Sequence, residues 1–526
     1  MWRPILILTH LIGIKFLFCY ARCDGYTYRC GLSDHEETKK KYSQRLDISC
    51  LRLSIGGDDM DERVAALKDS LMTEINRMWQ ELSWETPREV ADRQRFEAIQ
   101  ACHKLHRAAN PAYRARCERE GIGERLEPSQ FPIVCFPEEI YKGYAEKVRA
   151  NGEKLGIFCE RDVPLLMEHL NHYLVEPITM DGLAESYIRG TNIKGGLDIL
   201  REDLRKSQDI ILFTSSGTSG TTISLIPLDR ESYDMIVRAH RAMFDVISIT
   251  DHFGPIDPDK DFLVAHTIDE GSMLMSVTLK AYANQFGDRG ILTLPARVQT
   301  RELRWRGGKF YGFGGKVLGL VLPLLLTLGS KRTARKGVEN LAAGLKRAEE
   351  LGLRTEIFGN PWLLLNALRQ IEAMLEAEIA AGNKKPGDHF VDLAPGSVVV
   401  FGGGNKSNSD VTEEDIAALM HKLIGGIDRV SDGYGQSESY CVAVRCKEGN
   451  YHFGPHIEVF MIDQYMAYYD PRQTNRIPAI VTGDIIDGLY EEPCPCGNTS
   501  RYFKSIRRDD ENRGSKGCAA ALAEYA

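Results

Sequence analysis

The sequence predicts an α/β protein, in which a large domain of mixed sheets is flanked by helices and preceded by a helical N-terminal extension. Three observations predict it. Short apolar runs at 210–213, 262–266, 290–294, 396–401 and 479–481 have the length and composition of buried strands, and two of them open onto glycines or hydroxyl residues. Between them lie helical stretches: one from Asp229, which opens with an acidic cap, and a long charged one at 331–382. From 34 to 125 the chain is charged, and apolar residues recur at three- and four-residue spacing.

Composition narrows the function classes. A chain of 526 residues has room for several domains and a large core. Its formal net charge of −8 provides no basic field for nucleic acid. Thirteen cysteines, an odd number at irregular spacing, do not make a disulfide scaffold. They fall in two zones, Cys19 to Cys159 and Cys441 to Cys518, and the second carries the chemistry.

In chain order, residues 1–23 run apolar from Ile5 to Tyr20, broken by His10 and Lys15. Three readings stay open there: a secretory h-region, an uncleaved amphipathic start, or a start codon placed too far upstream. Membrane association, if any, rests on these residues alone. The helices after them are expected to cover something. Trp79, Trp84, Cys102 and Cys117 read as packing residues, and His103 and His106 as a solvated pair on one helical face.

The first strand ends in Thr214, Ser215, Ser216, Gly217, Thr218, Ser219, Gly220 and Thr221, after which an extended pattern resumes at Ile223. Glycine lets backbone N–H groups approach a ligand, and hydroxyls add neutral donors, which together make a nest suited to polyphosphate. It is not a Walker loop, because no Gly-Lys-Ser/Thr ends it. Alone it reads equally as a Ser/Gly connector; the order of the motifs downstream decides. The apolar stretch at 271–279 reads as core packing or pocket lining, and that at 317–328 as a buried helix or acyl-pocket wall, too short for a membrane span. The strand at 396–401 opens onto Gly402, Gly403, Gly404 and Asn405, where a sheet can admit a flat ligand. Next come Tyr434, Gly435, Ser437 and Glu438: a stacking face, a turn, a phosphate donor and a hard oxygen ligand for Mg2+. Asp484 lies after another short strand, a position that commonly accepts from ribose hydroxyls.

Taken in order, 214–222, 402–406, 432–438 and 482–484 resemble the core motifs of the adenylate-forming (ANL) superfamily. The Pro493-Cys494-Pro495-Cys496-Gly497 run is similar to its phenylacetate–CoA ligase-like branch, near the acyl-protein synthetases, and the likeness spans roughly 130–510. The spacing of Gly220, Ser224 and Asp229 is part of it. The resemblance implies an N-terminal extension over 1–125, an adenylate-forming domain over 126–505, and a hinge and tail at 506–526 that is a vestige of a largely absent lid domain. It implies that a carboxylic acid, aryl or fatty, attacks Mg·ATP to give an acyl-adenylate. The acyl group then passes to a thiol (CoA, a carrier-protein phosphopantetheine or a protein cysteine) or to an amine. Residues 214–222 would face the pyrophosphate, 402–404 and Tyr434 the adenine, and Ser437 the α-phosphate. Glu438 would hold Mg2+, Asp484 the ribose, and Arg501 or Arg508 would supply positive charge or mark the hinge. Such chemistry requires charge neutralisation and positioning more than a protein nucleophile.

Cys446, His452, Cys494 and Cys496 form C-x5-H followed by C-x-C, similar to an arrangement in the same branch. Three thiolates and an imidazole make the closed, structural type of zinc site. The plain alternative is three free cysteines and a surface histidine, and His456 is the fallback ligand. Such a site, with ATP chemistry, points to the cytoplasm.

The sequence departs from the family twice. No lysine comes after the phosphate loop, and the chain ends soon after Arg508, where the family has its lid; Lys516 is a poor substitute, and a separate partner would then supply that part. Cys518 occupies a place where acyl-protein synthetases carry the acyl group. These departures leave a second reading, a non-catalytic, adenylate-binding and zinc-stabilised interaction protein derived from such an enzyme.

Overall fold

The computed structural model describes residues 57–144, 162–180, 183, 196–214, 224–248, 254, 256–271, 274–298, 312–402, 413–436, 438 and 442–509. The expectations for residues 1–23, for the loop at 215–222, for Gly403, Gly404 and Asn405, and for Ser437, Lys516 and Cys518 lie outside the described residues. The chain divides into two units, Met1–Asp61 and Glu62–Ala526, and the second carries the core and the candidate site.

Helices α1 (Gly57–Glu81), α2 (Arg88–Ala109) and α3 (Pro111–Arg119) open the described chain. A short strand, β1 (Phe136–Pro137), and helices α4 (Asp162–Asn171) and α5 (Gly196–Gln208) lead to a hairpin of β2 (Ile211–Thr214) and β3 (Leu225–Leu228). Helix α6 (Arg230–Ser248) begins as its acidic cap predicts, with Asp229 Oδ1 accepting from the Ser232 N–H at 2.7 Å. Strand and helix then alternate through β4 (Phe262–Gly271), α7 (Leu274–Gln285), β5 (Gly290–Val298), α8 (Gly312–Leu351) and β6 (Thr355–Gly359). The alternation ends with α9 (Pro361–Ala380), β7 (Val391–Gly402), α10 (Glu413–Leu423) and β8 (Ile424–Gly435). The rest is strand: β9 (Val442–Arg445), β10 (Tyr451–Phe453), β11 (Glu458–Ile462), β12 (Tyr465–Tyr469), β13 (Ala479–Ile486), β14 (Tyr502–Phe503) and β15 (Ile506–Arg508).

The alternating part builds a parallel sheet in the order β5-β4-β6-β7-β8, which β9, β10 and β14 extend antiparallel to eight strands. Its strands read as continuous apolar runs because both faces are covered. Along β4, Phe262 and Val264 pack with α8 and α9, whereas Leu263 and Ala265 pack with Leu279 and Tyr282 of α7 and with Phe286 just after it. Strand β7 divides the same way, Val399 and Phe401 to one side, Val398 and Val400 to the other. The two-residue period of a strand thus feeds two helix layers. Because the five strands are parallel, their C-terminal ends, among them Gly402 and Gly435, share one edge.

A second sheet runs β1-β13-β12-β11, with β15 also pairing β13. Helices α1 and α2 cover it: Leu71, Ile75, Met78, Ile99 and Cys102 are buried in one cluster with Tyr468, Tyr469 and Ala479. Cys117 is buried there too, and Trp79 packs against it, as their packing assignment anticipates. The histidines correct the reading of a solvated face. His103 and His106 are wholly buried; His103 Nδ1 meets the Tyr113 hydroxyl at 3.0 Å, and His106 Nε2 lies 2.7 Å from the Gln473 carbonyl. His103 Nε2 also lies 2.9 Å from the Gly123 carbonyl, and the Gln473 carbonyl that meets His106 belongs to residues 470–478, a loop buried throughout, so carbonyls stand in for water at both rings. No helix among the described residues is long and apolar enough to cross a membrane.

Candidate active site and metal centre

Strand β8 of the first sheet and β13 of the second bring the polar motifs together. Tyr434, near the end of β8, donates its hydroxyl to Asp484 Oδ2 at 2.6 Å. Gln436 Nε2 donates to the same oxygen at 2.9 Å and lies 3.4 Å from Glu138 Oε2. Both carboxylates are deeply buried, Asp484 at 1 % exposure and Glu138 at 3 %. Asp484 is placed by its own Thr482-Gly483-Asp484 sequence: its N–H donates to Thr482 Oγ1 at 3.1 Å, and that hydroxyl donates to the Met466 carbonyl.

The hairpin of β2 and β3 contributes a further contact. Thr214 pairs with Leu225 at its base, so the connection between them leaves and returns at one place. Ser224, at the exit of that connection, donates its hydroxyl to Glu438 Oε1 at 3.0 Å. Arg476, 1 % exposed, reaches the Glu438 carbonyl with Nη1 at 3.5 Å and Gln473 Oε1 with Nη2 at 3.0 Å. Two pairings thus bring separate motifs into contact: Ser224 with Glu438, and Tyr434 and Gln436 with Asp484, each across dozens to hundreds of residues of sequence.

The remaining candidates divide. Gly402 pairs with Gly433 at the shared edge of the parallel sheet, one residue from Tyr434. Arg508 of β15 stands opposite Asp484 in the strand register. Arg501 is engaged elsewhere: its guanidinium pairs with Glu458 and, through Nε at 3.1 Å, with Glu491. Glu458 also pairs with Arg95 of α2, so Arg501 ties the sheet to the helical layer.

The four metal-ligand candidates do converge. The ligating atoms of Cys446, His452, Cys494 and Cys496 all lie within 4.8 Å of one another, a group that could hold a metal ion. Cys446 Sγ is 3.8 Å from Cys494 Sγ, and Cys496 Sγ is 3.4 Å from His452 Nε2. Two tight turns present the sulfurs. After β9, Cys446 N–H bonds the Asn450 carbonyl and Gly449, at φ 79°, closes the turn; in the Cys-Pro-Cys-Gly run, Gly497 at φ 92° donates its N–H to the Cys494 carbonyl at 3.0 Å. Ser500 Oγ lies 3.4 Å from His452 Nδ1, leaving Nε2 aimed at the sulfurs.

Burial pushes the His452 pKa down to about 4, so its ring is neutral and offers a lone pair. Burial raises the Cys446 thiol and drives Cys496 up to about 12. At Cys494 burial pulls the same way, but the Cys496 N–H and the Asn450 side-chain amide outweigh it and leave that thiol below its usual value. The fallback ligand is not needed. His456 packs against Trp79 of α1, the rings tilted by 35° with centroids 4.1 Å apart, and burial holds it well below the usual histidine range.

Compared with models of known protein families and with curated protein sequences, the chain matches none. Three participants escaped sequence reasoning. Gln436 occupies the variable position of Tyr-Gly-x-Ser-Glu, where its own neighbours are the signal. Glu138 comes directly after Pro137, and β1 runs parallel to β13 at Ile480 and Val481, which carries Glu138 towards Asp484. Arg476 sits in a buried loop with no motif around it. For these two no local pattern exists to be read.

Proposed function

We propose that the chain is an adenylate-forming enzyme of the ANL type, in the phenylacetate–CoA ligase-like or acyl-protein synthetase-like branch. It activates an aryl or fatty acid with ATP as the acyl-adenylate and passes the acyl group to a thiol (CoA, phosphopantetheine or a protein cysteine) or to an amine. The observation that supports the reading is that residues of separate motifs pair as the proposed reaction needs, Ser224 with Glu438 and Tyr434 with Asp484.

In this reading Asp484 accepts from the ribose, held for that task by Tyr434 and Gln436. The adenine is assigned to the shared sheet edge at Gly402 and Gly435, beside Tyr434. The 214–224 connection supplies backbone and hydroxyl donors to the leaving pyrophosphate, and its exit is fastened to Glu438. Glu438 would hold Mg2+, which when bound would supply charge neutralisation on the phosphates. A carboxylate oxygen of the acid then forms the new bond to the α-phosphorus as the bond to pyrophosphate breaks. In the second half-reaction the acceptor attacks the acyl carbon and AMP leaves.

The cysteine–histidine group is proposed to bind zinc structurally. A tetrahedron with Zn–S bonds of about 2.3 Å has edges of roughly 3.8 Å, which the Cys446–Cys494 separation of 3.8 Å fits. Cys446 and His452 flank the turn between β9 and β10, and Cys494 and Cys496 precede β14, so the ion would clamp the antiparallel margin of the sheet beside Tyr434. A thiolate site of this kind suits a reducing compartment such as the cytoplasm.

The test is ATP–pyrophosphate exchange by the zinc-loaded protein across a panel of aryl and fatty acids. Exchange that requires one acid names the substrate, and Glu438→Gln should lower its rate on the order of 100-fold. ATP binding without exchange on any acid would instead support the non-catalytic reading.

A further inference from the structure

We propose that Cys446 and Cys494 are an oxidation-sensitive pair, a modification site at which a hydroperoxide exchanges the bound metal for a disulfide. The pairing goes beyond the zinc reading, on which only the release of the ion rests. Cys446 Sγ lies 3.8 Å from Cys494 Sγ, a gap small enough for side-chain rotation to close to a bond of about 2.05 Å. Asn450 places both sulfurs: its carbonyl accepts from the Cys446 N–H at 2.8 Å, and its side-chain amide donates to Cys494 Sγ at 3.2 Å. Cys496 faces His452 Nε2 at 3.4 Å, so it is the thiol left over.

Access divides the described cysteines. Cys446 and Cys496 are half-buried, whereas Cys494 is 4 % exposed, so an oxidant meets Cys446 first and Cys494 resolves the product. Cys102, Cys117 and Cys135 are buried in the core that the helices share with the second sheet. Burial raises each of those thiols, which leaves them inert to the same reagent.

With hydrogen peroxide the step balances. The Cys446 sulfur forms an S–O bond as the O–O bond breaks, giving a sulfenic acid and one water. The Cys494 sulfur then attacks the Cys446 sulfur; the S–S bond forms, the S–O bond breaks and a second water leaves. The two thiols have lost two electrons and two protons, and the peroxide has gained them. Cys496 and His452 remain, two ligands short of the four that a closed zinc site uses. The disulfide joins the same two turns, so the margin beside Tyr434 stays stapled when the ion departs.

Treating the full-length, zinc-loaded protein with hydrogen peroxide and mapping its linked peptides by mass spectrometry without reduction tests this. The map should show Cys446 joined to Cys494 and Cys102, Cys117 and Cys135 unmodified, with about one zinc ion per chain released to a chromogenic chelator. A dithiol with added zinc should restore the starting state. The oxidised, metal-free protein should melt above the reduced, chelator-treated one, because only the former keeps a cross-link between the turns. Cys496→Ser should retain the linkage and Cys446→Ser should lose it; if either variant folds poorly, the wild-type map decides alone. Linkage of Cys494 to Cys496 instead, loss of the thiols without a linkage, or thiols unchanged by peroxide would each overturn the assignment. A protein that holds no zinc before the oxidant is added would overturn the zinc reading, and the map would still decide the pairing.

Discussion

Asp484 has lost almost all its water, and a carboxylate so placed stays ionised only when donors replace that water. Tyr434 is one such donor, at 2.6 Å. Tyr434→Phe should therefore destabilise the protein by roughly 1.5–3 kcal/mol, read from the urea midpoint; an unchanged midpoint would show the hydroxyl to be dispensable. The buried histidines make a second prediction. Burial lowers His106 and His266 each to about 4, below the 6.5 of an exposed ring. Between those values the unfolded chain binds the more protons, so acid favours unfolding. The stability they confer is fully present above about pH 6.5 and falls as pH drops towards 4, by about 1.4 kcal/mol per pH unit for each histidine. Urea midpoints at pH 7, 6 and 5 check this, and a flat series would contradict it. Single residues differed in legibility for a physical reason. Cysteine pairs and Gly-x-Ser/Thr loops carry their chemistry in their own neighbours, whereas Glu138 and the two buried histidines acquire theirs from strands and loops distant in sequence.

Among the elements, the antiparallel margin β9-β10-β14 is small and is joined at the cysteine–histidine cluster. Tyr451 and Phe503 stack there at 4.9 Å and nearly parallel, and Phe503 meets Tyr434 edge-on at 6.4 Å. Treating the protein with a chelator should lower the melting temperature and expose the three cluster thiols to a thiol reagent. It should also weaken AMP binding through the Phe503–Tyr434 contact, and chelation without effect on any of these would argue that no structural metal is bound. The helical layer gives a further test. Ile75 of α1 is wholly buried against the second sheet, so Ile75→Ala should cost roughly 2–5 kcal/mol by denaturant unfolding. A loss below about 1 kcal/mol would mean that α1 is not an integral cover. The amphipathic rhythm of α1 and α2 was legible in the sequence. Which sheet they cover was not, because an apolar stripe specifies only that something lies over it.

At the scale of the whole molecule the candidate site belongs to neither sheet alone. Strand β8 supplies Tyr434, β13 supplies Asp484, the turn after β1 supplies Glu138, and the exit of the β2–β3 hairpin supplies Ser224. Sites at such junctions respond to anything that shifts one sheet against the other. Saturating AMP should accordingly raise the melting temperature through binding to the folded state, in proportion to the logarithm of its concentration. A melting temperature independent of AMP would count against the junction as a nucleotide site.

The sequence by itself determined the class of the fold, the strands that end on glycine or hydroxyl clusters, and the four residues of the cysteine–histidine cluster. These depend on local periodicity, turn chemistry and residue type, all written within a few neighbouring positions. Only the tertiary structure decided that Ser224 meets Glu438, that Glu138 joins Asp484 through Gln436, and that Arg501 braces the helical layer. Strand order and register set those meetings, and they couple positions hundreds of residues apart that no local pattern connects.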